Sequence, residues 1–381
     1  MKKLFIMAIA ASVAFTACLK NEPTTGINTG QNGAKIAFEE PILAPNVKSL
    51  AGYTAINPTT DDFKVWAFFT ANELATTGLT QDVVTNSVYI NQATVAYVQT
   101  GTDSESNPIG QWEAGSYYWP QNGYLSFLGY LPATPSSGTF TVTAEGLQIE
   151  DYTTDGDEDL LVSEIVYDQT KQTAMNSWAG PVQMSFKHAL SALKFTVATD
   201  LEDMEVALQS ITLKNVYSTG DFNAGLSSTK LDLGNASATG TGAGYTETNV
   251  CWTADATTAT NYLVYPVGRE AGLVVTDSPA ATAATPGQID LIVVPQTLRR
   301  EGVILEVVYT LKNDSMVTPV TQTVTAPITL PGAPSGWLRG YRYTYNLNIQ
   351  LDKITFTPVV EDWIDYNGGA ASELIGRPTW N

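Results

Sequence analysis

The stretch Tyr341-Arg342-Tyr343-Thr344-Tyr345-Asn346-Leu347-Asn348-Ile349-Gln350-Leu351 alternates without a break. Tyr341, Tyr343, Tyr345, Leu347, Ile349 and Leu351 point to one side, and Arg342, Thr344, Asn346, Asn348 and Gln350 to the other. A repeat of two is the signature of a strand with one packed face and one wet face, because successive side chains leave a pleated backbone in opposite directions. That is the pattern of an antiparallel sandwich. The same alternation recurs upstream in Phe63-Val65-Ala67-Phe69, Phe140-Val142-Ala144, Leu193-Phe195-Val197, Val303 to Leu311 and Val324 to Leu330. Helix-period patterns are scarce, with short helical pieces expected only near 70–76 and 200–208. Turn clusters such as Pro132 to Gly138 and Pro331 to Gly336 separate the strands. The fold expected is all-β: two Greek-key β-sandwich domains in tandem, divided near Trp178-Ala179-Gly180-Pro181. The Ala/Thr/Gly-rich stretch 235–244 and the Ala/Thr/Pro-rich stretch 277–287 read as exposed loops, because strands resume on either side.

The N-terminus reads differently. Lys2 and Lys3 precede an apolar run from Leu4 to Phe15, followed by Thr16-Ala17-Cys18. This is a secretion signal, too short for a membrane span of about 20 residues. A cysteine at its end resembles a lipobox, in which lipid is attached to the Cys18 thiol and cleavage makes Cys18 the new N-terminus. Residues 1–17 are then the lipoprotein signal peptide and 18–34 a polar, flexible tether. The chain is expected to be exported and membrane-tethered.

Charge excludes some partners. The formal net charge is −19, and loss of Lys2 and Lys3 with the leader makes it more negative. Nucleic acid and anionic headgroups both require a basic face, so neither is expected as a partner. Cys18 and Cys251 are the two cysteines. With lipid on Cys18, Cys251 has no disulfide partner, and stability must come from the apolar core.

Signals for chemistry are weak. His188 is the one histidine, and no G-x-S-x-G surrounds it, so it reads as a framework residue rather than a general base. The acidic run Asp155-Gly156-Asp157-Glu158-Asp159 lacks the spacing of a calcium loop and reads as a solvated turn. Neither a metal nor a cofactor is expected, nor an enzyme. Trp112, Tyr117, Tyr118 and Trp119 could form a sugar-stacking platform, but the strand-like Leu125–Pro132 beside them favours a core role.

Four segments together resemble the Bacteroidales fimbrillin family, the lipoprotein pilins of the major and minor fimbrial subunit type. They are the lipobox at Cys18; Tyr118-Trp119-Pro120 with Leu125-Ser126-Phe127 and Tyr130-Leu131-Pro132; Asp159-Leu160-Leu161-Val162 followed by Met184 to Phe195; and Trp337 to Tyr345 with Ile354 to Trp363. The resemblance implies transthyretin-like sandwiches, with domains at 35–185 and 186–366 and a C-terminal tail at 367–381. It implies a structural subunit or adhesin of a surface fimbria, lipid-anchored at the outer membrane. Proteolysis removes a first strand, and a strand from another pilin subunit fills the groove. The leaving strand expected here is Lys35 to Leu43.

This chain departs from the family in one respect. Arginine-specific processing is common there, whereas no arginine precedes Arg269 here. Lys35 and Lys48 are the candidate processing sites, unless the subunit stays uncleaved as an anchor. Ala371, Leu374, Ile375 and Trp380 in the tail are candidate donor-strand residues, with Gly368-Gly369 as a swivel. A host receptor or glycan is a further expected partner. The competing expectation is a surface glycan-binding lipoprotein, and the exposure of Trp112 and Trp119 discriminates the two.

Overall fold

The computed structural model describes residues 33–43, 60–106, 108–173, 180–224, 251–266, 272–276, 291–298, 302–328, 339–350 and 354–362, with Asn57 and short pairs at 226–227, 230–231, 280–281 and 336–337. The fold is all-β. In chain order the first elements are β1 (Lys35–Phe38), β2 (Ile42–Leu43), β3 (Phe63–Thr70), helix α1 (Gln81–Asn86), β4 (Val88–Thr102), β5 (Pro108–Tyr118), β6 (Tyr124–Leu131), β7 (Thr139–Thr143) and β8 (Gly146–Thr153). They continue with β9 (Leu161–Ser163), β10 (Val166–Gln169), β11 (Ser185–His188), β12 (Ser191–Thr199), β13 (Glu205–Tyr217) and β14 (Thr219–Asn223).

The N-terminal sheet runs β1-β5-β4-β3-β6-β9-β11-β2, with β10 alongside β6. Its two ends, β1 and β2, are neighbours in sequence, joined by Glu39-Glu40-Pro41. The path therefore closes on itself like a barrel, which removes edges. Alternation explains the layers. Phe63, Val65 and Ala67 of β3 and Leu125, Phe127 and Leu131 of β6 fill the enclosed core with Trp112 and Trp119. Trp66, Phe68, Leu128 and Tyr130 leave the opposite faces of the same strands and enter a second core. Strand β6 is buried almost throughout for that reason. Gly129 lets β6 lie close to β3, since a Cβ there would sit 2.2 Å from the Lys64 carbonyl oxygen.

The second core is roofed by a four-stranded sheet with β7 and β8 from one half of the chain and β14 and Trp252–Ala254 from the other. The expected division at 185/186 falls within β11 (Ser185–His188). The crossing from β11 to β12 is tightly held. Ala189 N–H donates to Leu160 O at 2.7 Å, Trp252 Nε1 to Ala189 O at 2.6 Å and Gly340 N–H to Leu190 O at 2.8 Å.

The C-terminal core lies between two sheets. One contains β12, Tyr341–Ile349 and Ile354–Asp362; the other contains β13, Ala259–Tyr265, Ile304–Lys312 and Val320–Pro327. Leu193, Phe195 and Val197 face Val206, Leu208, Ile211, Val307 and Tyr309 across it. The alternating stretch at 341–349 packs Tyr343, Tyr345, Leu347 and Ile349 inward, as its period requires. Two details differ from expectation. It runs parallel to β12 in an unbroken register from Ala192↔Arg342 to Thr199↔Ile349, and antiparallel only to Ile354–Asp362. Arg342, on the face expected to be wet, is buried.

The helices expected near 70–76 and 200–208 do not form. Residues 71–77 are turns, and α1 starts later, where Thr80 caps it by accepting from Val83 N–H. Residues 205–217 belong to β13, whose alternating apolar residues pair with Ile304–Lys312. Cross-strand packing over nine register pairs outweighs local propensity there.

Candidate functional site

The segment from Ala34 to Leu43 holds only two short strands, so its order depends on its partners. Along one side it runs antiparallel to β5, with Lys35 opposite Tyr118, Ala37 opposite Glu113 and Phe38 opposite Trp112. Trp119 N–H donates to Ala34 O at 2.9 Å. Along the other side it runs parallel to 182–186. Val182 N–H donates to Ala37 O at 2.8 Å, Glu39 N–H to Val182 O at 3.0 Å and Ile42 N–H to Met184 O at 2.9 Å. Ile42 and Leu43 are in register with Ser185 and Phe186. One short segment thus satisfies two strand edges.

Its side chains fill the groove between those edges. Ile36 and Phe38 are each 1% exposed. The Phe38 ring meets Phe63 and Phe127 edge-on, with centroids 5.7 and 5.8 Å away. Burying a residue of this size stabilises by roughly 2–3 kcal/mol, so two of them make the groove a strong apolar seat. Ala37, which alternation assigned to the opposite face, is also buried.

At the rim, Lys35 Nζ lies 2.8 Å from Glu113 Oε2. Their hydrogen bond is the main reason that the Lys35 ammonium is held above its usual range and the Glu113 carboxyl below its own. Lys35, one of the two candidate processing sites, is therefore inside a paired strand. Cys18, Lys48 and the tail residues Ala371, Leu374, Ile375 and Trp380 lie outside the described residues.

The tryptophans take the core role that the neighbouring strand favours. Trp112 and Trp119 are each 2% exposed, and both belong to the core that receives Ile36 and Phe38. They line the groove and offer no surface platform for a sugar. The second wall, Val182-Gln183-Met184-Ser185-Phe186, was not recognised from sequence. Its alternating Val182, Met184 and Phe186 carry the signal, and all three are buried.

His188 has a framework place. Its Nδ1 is 2.8 Å from Asp159 Oδ2, with both side chains buried. The acidic run is partly turned to structure as well: Glu158 accepts from Ser136 N–H and Oγ and from the Tyr152 hydroxyl, each at 3.0 Å. Among the described residues no helix is long and apolar enough to cross a membrane.

A family model described as fimbrillin-like matches residues 54–363. Among solved structures, a fimbrial protein from Bacteroides vulgatus is 16% identical, covering 86% of this chain and 99% of its own, with a TM-score of 0.55. The C-terminally truncated tip fimbrial protein Mfa3 from Porphyromonas gingivalis is 10% identical, covering 84% of this chain and 99% of its own, at a TM-score of 0.35. The first of these shows a shared fold. No curated protein matches the chain.

Proposed function

This chain belongs to the fimbrillin-like family, and from that premise we propose that it is a subunit of a cell-surface fimbria assembled by strand exchange. One observation carries the proposal: the segment Lys35–Leu43 closes both ends of one sheet and buries Ile36 and Phe38 in its core. Withdrawing it would bare two rows of backbone donors and acceptors and an apolar groove, and an extended strand from a second subunit would satisfy all of them. A contact of that kind is head-to-tail and propagates as a filament. Two sandwich units, 35–185 and 186–366, form the working division of the subunit. The tail carrying Ala371, Leu374, Ile375 and Trp380 is the proposed donor. Lipid on Cys18 would deliver the subunit to the outer membrane.

The geometry favours Lys48 over Lys35 as the processing site. A cut after Lys35 leaves Ile36 and Phe38 attached to the rest of the chain and still seated. A cut after Lys48 separates the whole of β1 and β2 from the subunit, so the segment can leave. Lys35 is also shielded by strand pairing and by its ion pair with Glu113.

The test is limited trypsin treatment of the lipid-free chain, N-terminal sequencing of the product and negative-stain electron microscopy. We expect one new N-terminus at Ser49, followed by filaments. Lys48→Gln should block both, and deletion of 367–381 should leave a cleavable but unassembled monomer. Filaments from the Lys48→Gln protein would overturn the processing site, and filaments from the tail deletion would remove the tail as donor. A full-length chain that resists cleavage and never polymerises would instead suit an anchor or tip subunit.

A further inference from the structure

Strand Val320–Pro327 ends its sheet. It pairs with Ile304–Lys312 along eight register positions, and no described strand lies on its other side. Such edges are templates for further pairing, and chains usually guard them with charge, a mid-strand proline or a bulge. None of these guards is present within Val320–Ala326. From Met316 to Leu338 the chain has no Asp, Glu, Lys or Arg, in a protein of net charge −19. An approaching copy of this acidic chain meets little repulsion along that edge.

The sequence of the edge also favours a particular occupant. Pro319-Val320-Thr321-Gln322-Thr323-Val324-Thr325-Ala326-Pro327 is nearly symmetric about Thr323. Laid antiparallel on itself about that residue, Thr321 faces Thr325, Val320 faces Ala326, Gln322 faces Val324 and Thr323 faces its own copy. Cross-strand threonine pairs are favourable on a sheet. The two prolines, which cannot donate to a ladder, fall symmetrically at both ends and limit the pairing to seven residues. Thr321, Thr323 and Thr325 are exposed on the outer face, and Val317 at the hairpin tip is 97% exposed.

We propose that Val320–Ala326 is a self-recognition edge, joining two copies of this chain antiparallel about Thr323. The contact is twofold and closes at two. It uses a different strand from the groove filled by Lys35–Leu43, so it is independent of filament growth and would join subunits or filaments side by side.

The experiment uses the full chain carrying Cys18→Ser and Cys251→Ser. Thr323→Cys in that background places two thiols on the twofold axis. Facing residues in an antiparallel ladder have Cα atoms about 4.5–5.5 Å apart, within disulfide reach. Mild oxidation should convert most of the protein to a covalent dimer. Thr321→Cys should give several-fold less, because the two copies of that position lie four residues apart along the ladder, roughly 13 Å. Sedimentation velocity should show a reversible dimer for the parent and a monomer for Thr323→Lys, with unchanged thermal melting. The dimer should survive deletion of 367–381. Equal cross-linking at 321 and 323, a parent that stays monomeric at its highest soluble concentration, or a Thr323→Lys protein that still dimerises would each overturn the proposal.

Discussion

The N-terminal sheet and the sheet ending in Val320–Pro327 face the same physical problem and handle it in different ways. In the first, β5 and the 182–186 strand would both be edges, and the chain covers them with nine residues of its own N-terminal segment. In the second, no described strand covers the edge, and it is stripped of charge. A segment covering an edge must be anchored by side chains, which is why Ile36 and Phe38 are as deeply buried as any core residue. An edge left open needs no anchor, and its outer threonines remain in water. A covered edge and an uncovered one therefore leave different marks in sequence: isolated apolar anchors in the covering segment in the first case, a long neutral alternation in the second.

Truncating an anchor tests this difference most strongly. Phe38→Ala should destabilise the chain by about 3–5 kcal/mol in denaturant titrations, the usual cost of emptying a packed aromatic site. Hydrogen exchange should show lost protection at 112–118 and 182–186 with little change at 341–349. Equal loss in both regions would mean that the two halves unfold as one unit, and the contrast would fail.

Tyr345→Phe probes the other core. The Tyr345 hydroxyl, kept neutral by burial, accepts from Trp337 Nε1 at 2.8 Å. Removing the acceptor leaves a buried indole donor unpaired, at about 1–3 kcal/mol. The loss should appear in the protection of 341–349 and leave the Lys35–Leu43 seat intact. Faster trypsin cleavage at Lys35 in this variant would show that the cores are coupled.

The smallest effect concerns the rim. The lowered Glu113 carboxyl contributes stability above the ordinary carboxylate range, near 4.3, and that contribution is lost as pH falls through its lowered value. The raised Lys35 ammonium contributes below its ordinary value, near 10.4, and its contribution is lost as pH rises through the raised one. Protection factors at Ile36–Phe38, corrected for the intrinsic pH dependence of exchange, should thus be highest in the middle range and fall at both extremes. Glu113→Gln should flatten this profile, and an unchanged profile would show that the pair does not hold the segment.

Much of this architecture is written in alternation. Phe63-Val65-Ala67, Leu193-Phe195-Val197 and Tyr343-Tyr345-Leu347 each declare which side they bury, because a strand has two sides and their order is local. Pairing partners are not local. Nothing in Tyr341–Ile349 announces that β12, 150 residues upstream, lies parallel beside it. The burial of Arg342, on the face that alternation leaves wet, escapes any local pattern. The candidate groove was half legible. Ile36 and Phe38 identified the segment, whereas its second wall at Val182–Phe186 comes from the far side of the chain. Trp112 and Trp119 show the limit of composition, since clustered aromatics alone suit a sugar platform or a core, and it is the strand-like Leu125–Pro132 beside them that favours the core.

The two walls of the groove differ in kind. Lys35–Phe38 runs against β5 in the opposite sense and along 182–186 in the same sense. Antiparallel and parallel ladders space their hydrogen bonds differently. A strand entering backwards would present the wrong spacing to both walls at once. The groove is therefore a one-way slot: whatever occupies it must enter with its N- and C-termini oriented as in Lys35–Leu43. A row of subunits joined through such slots has a head and a tail at every position along its length.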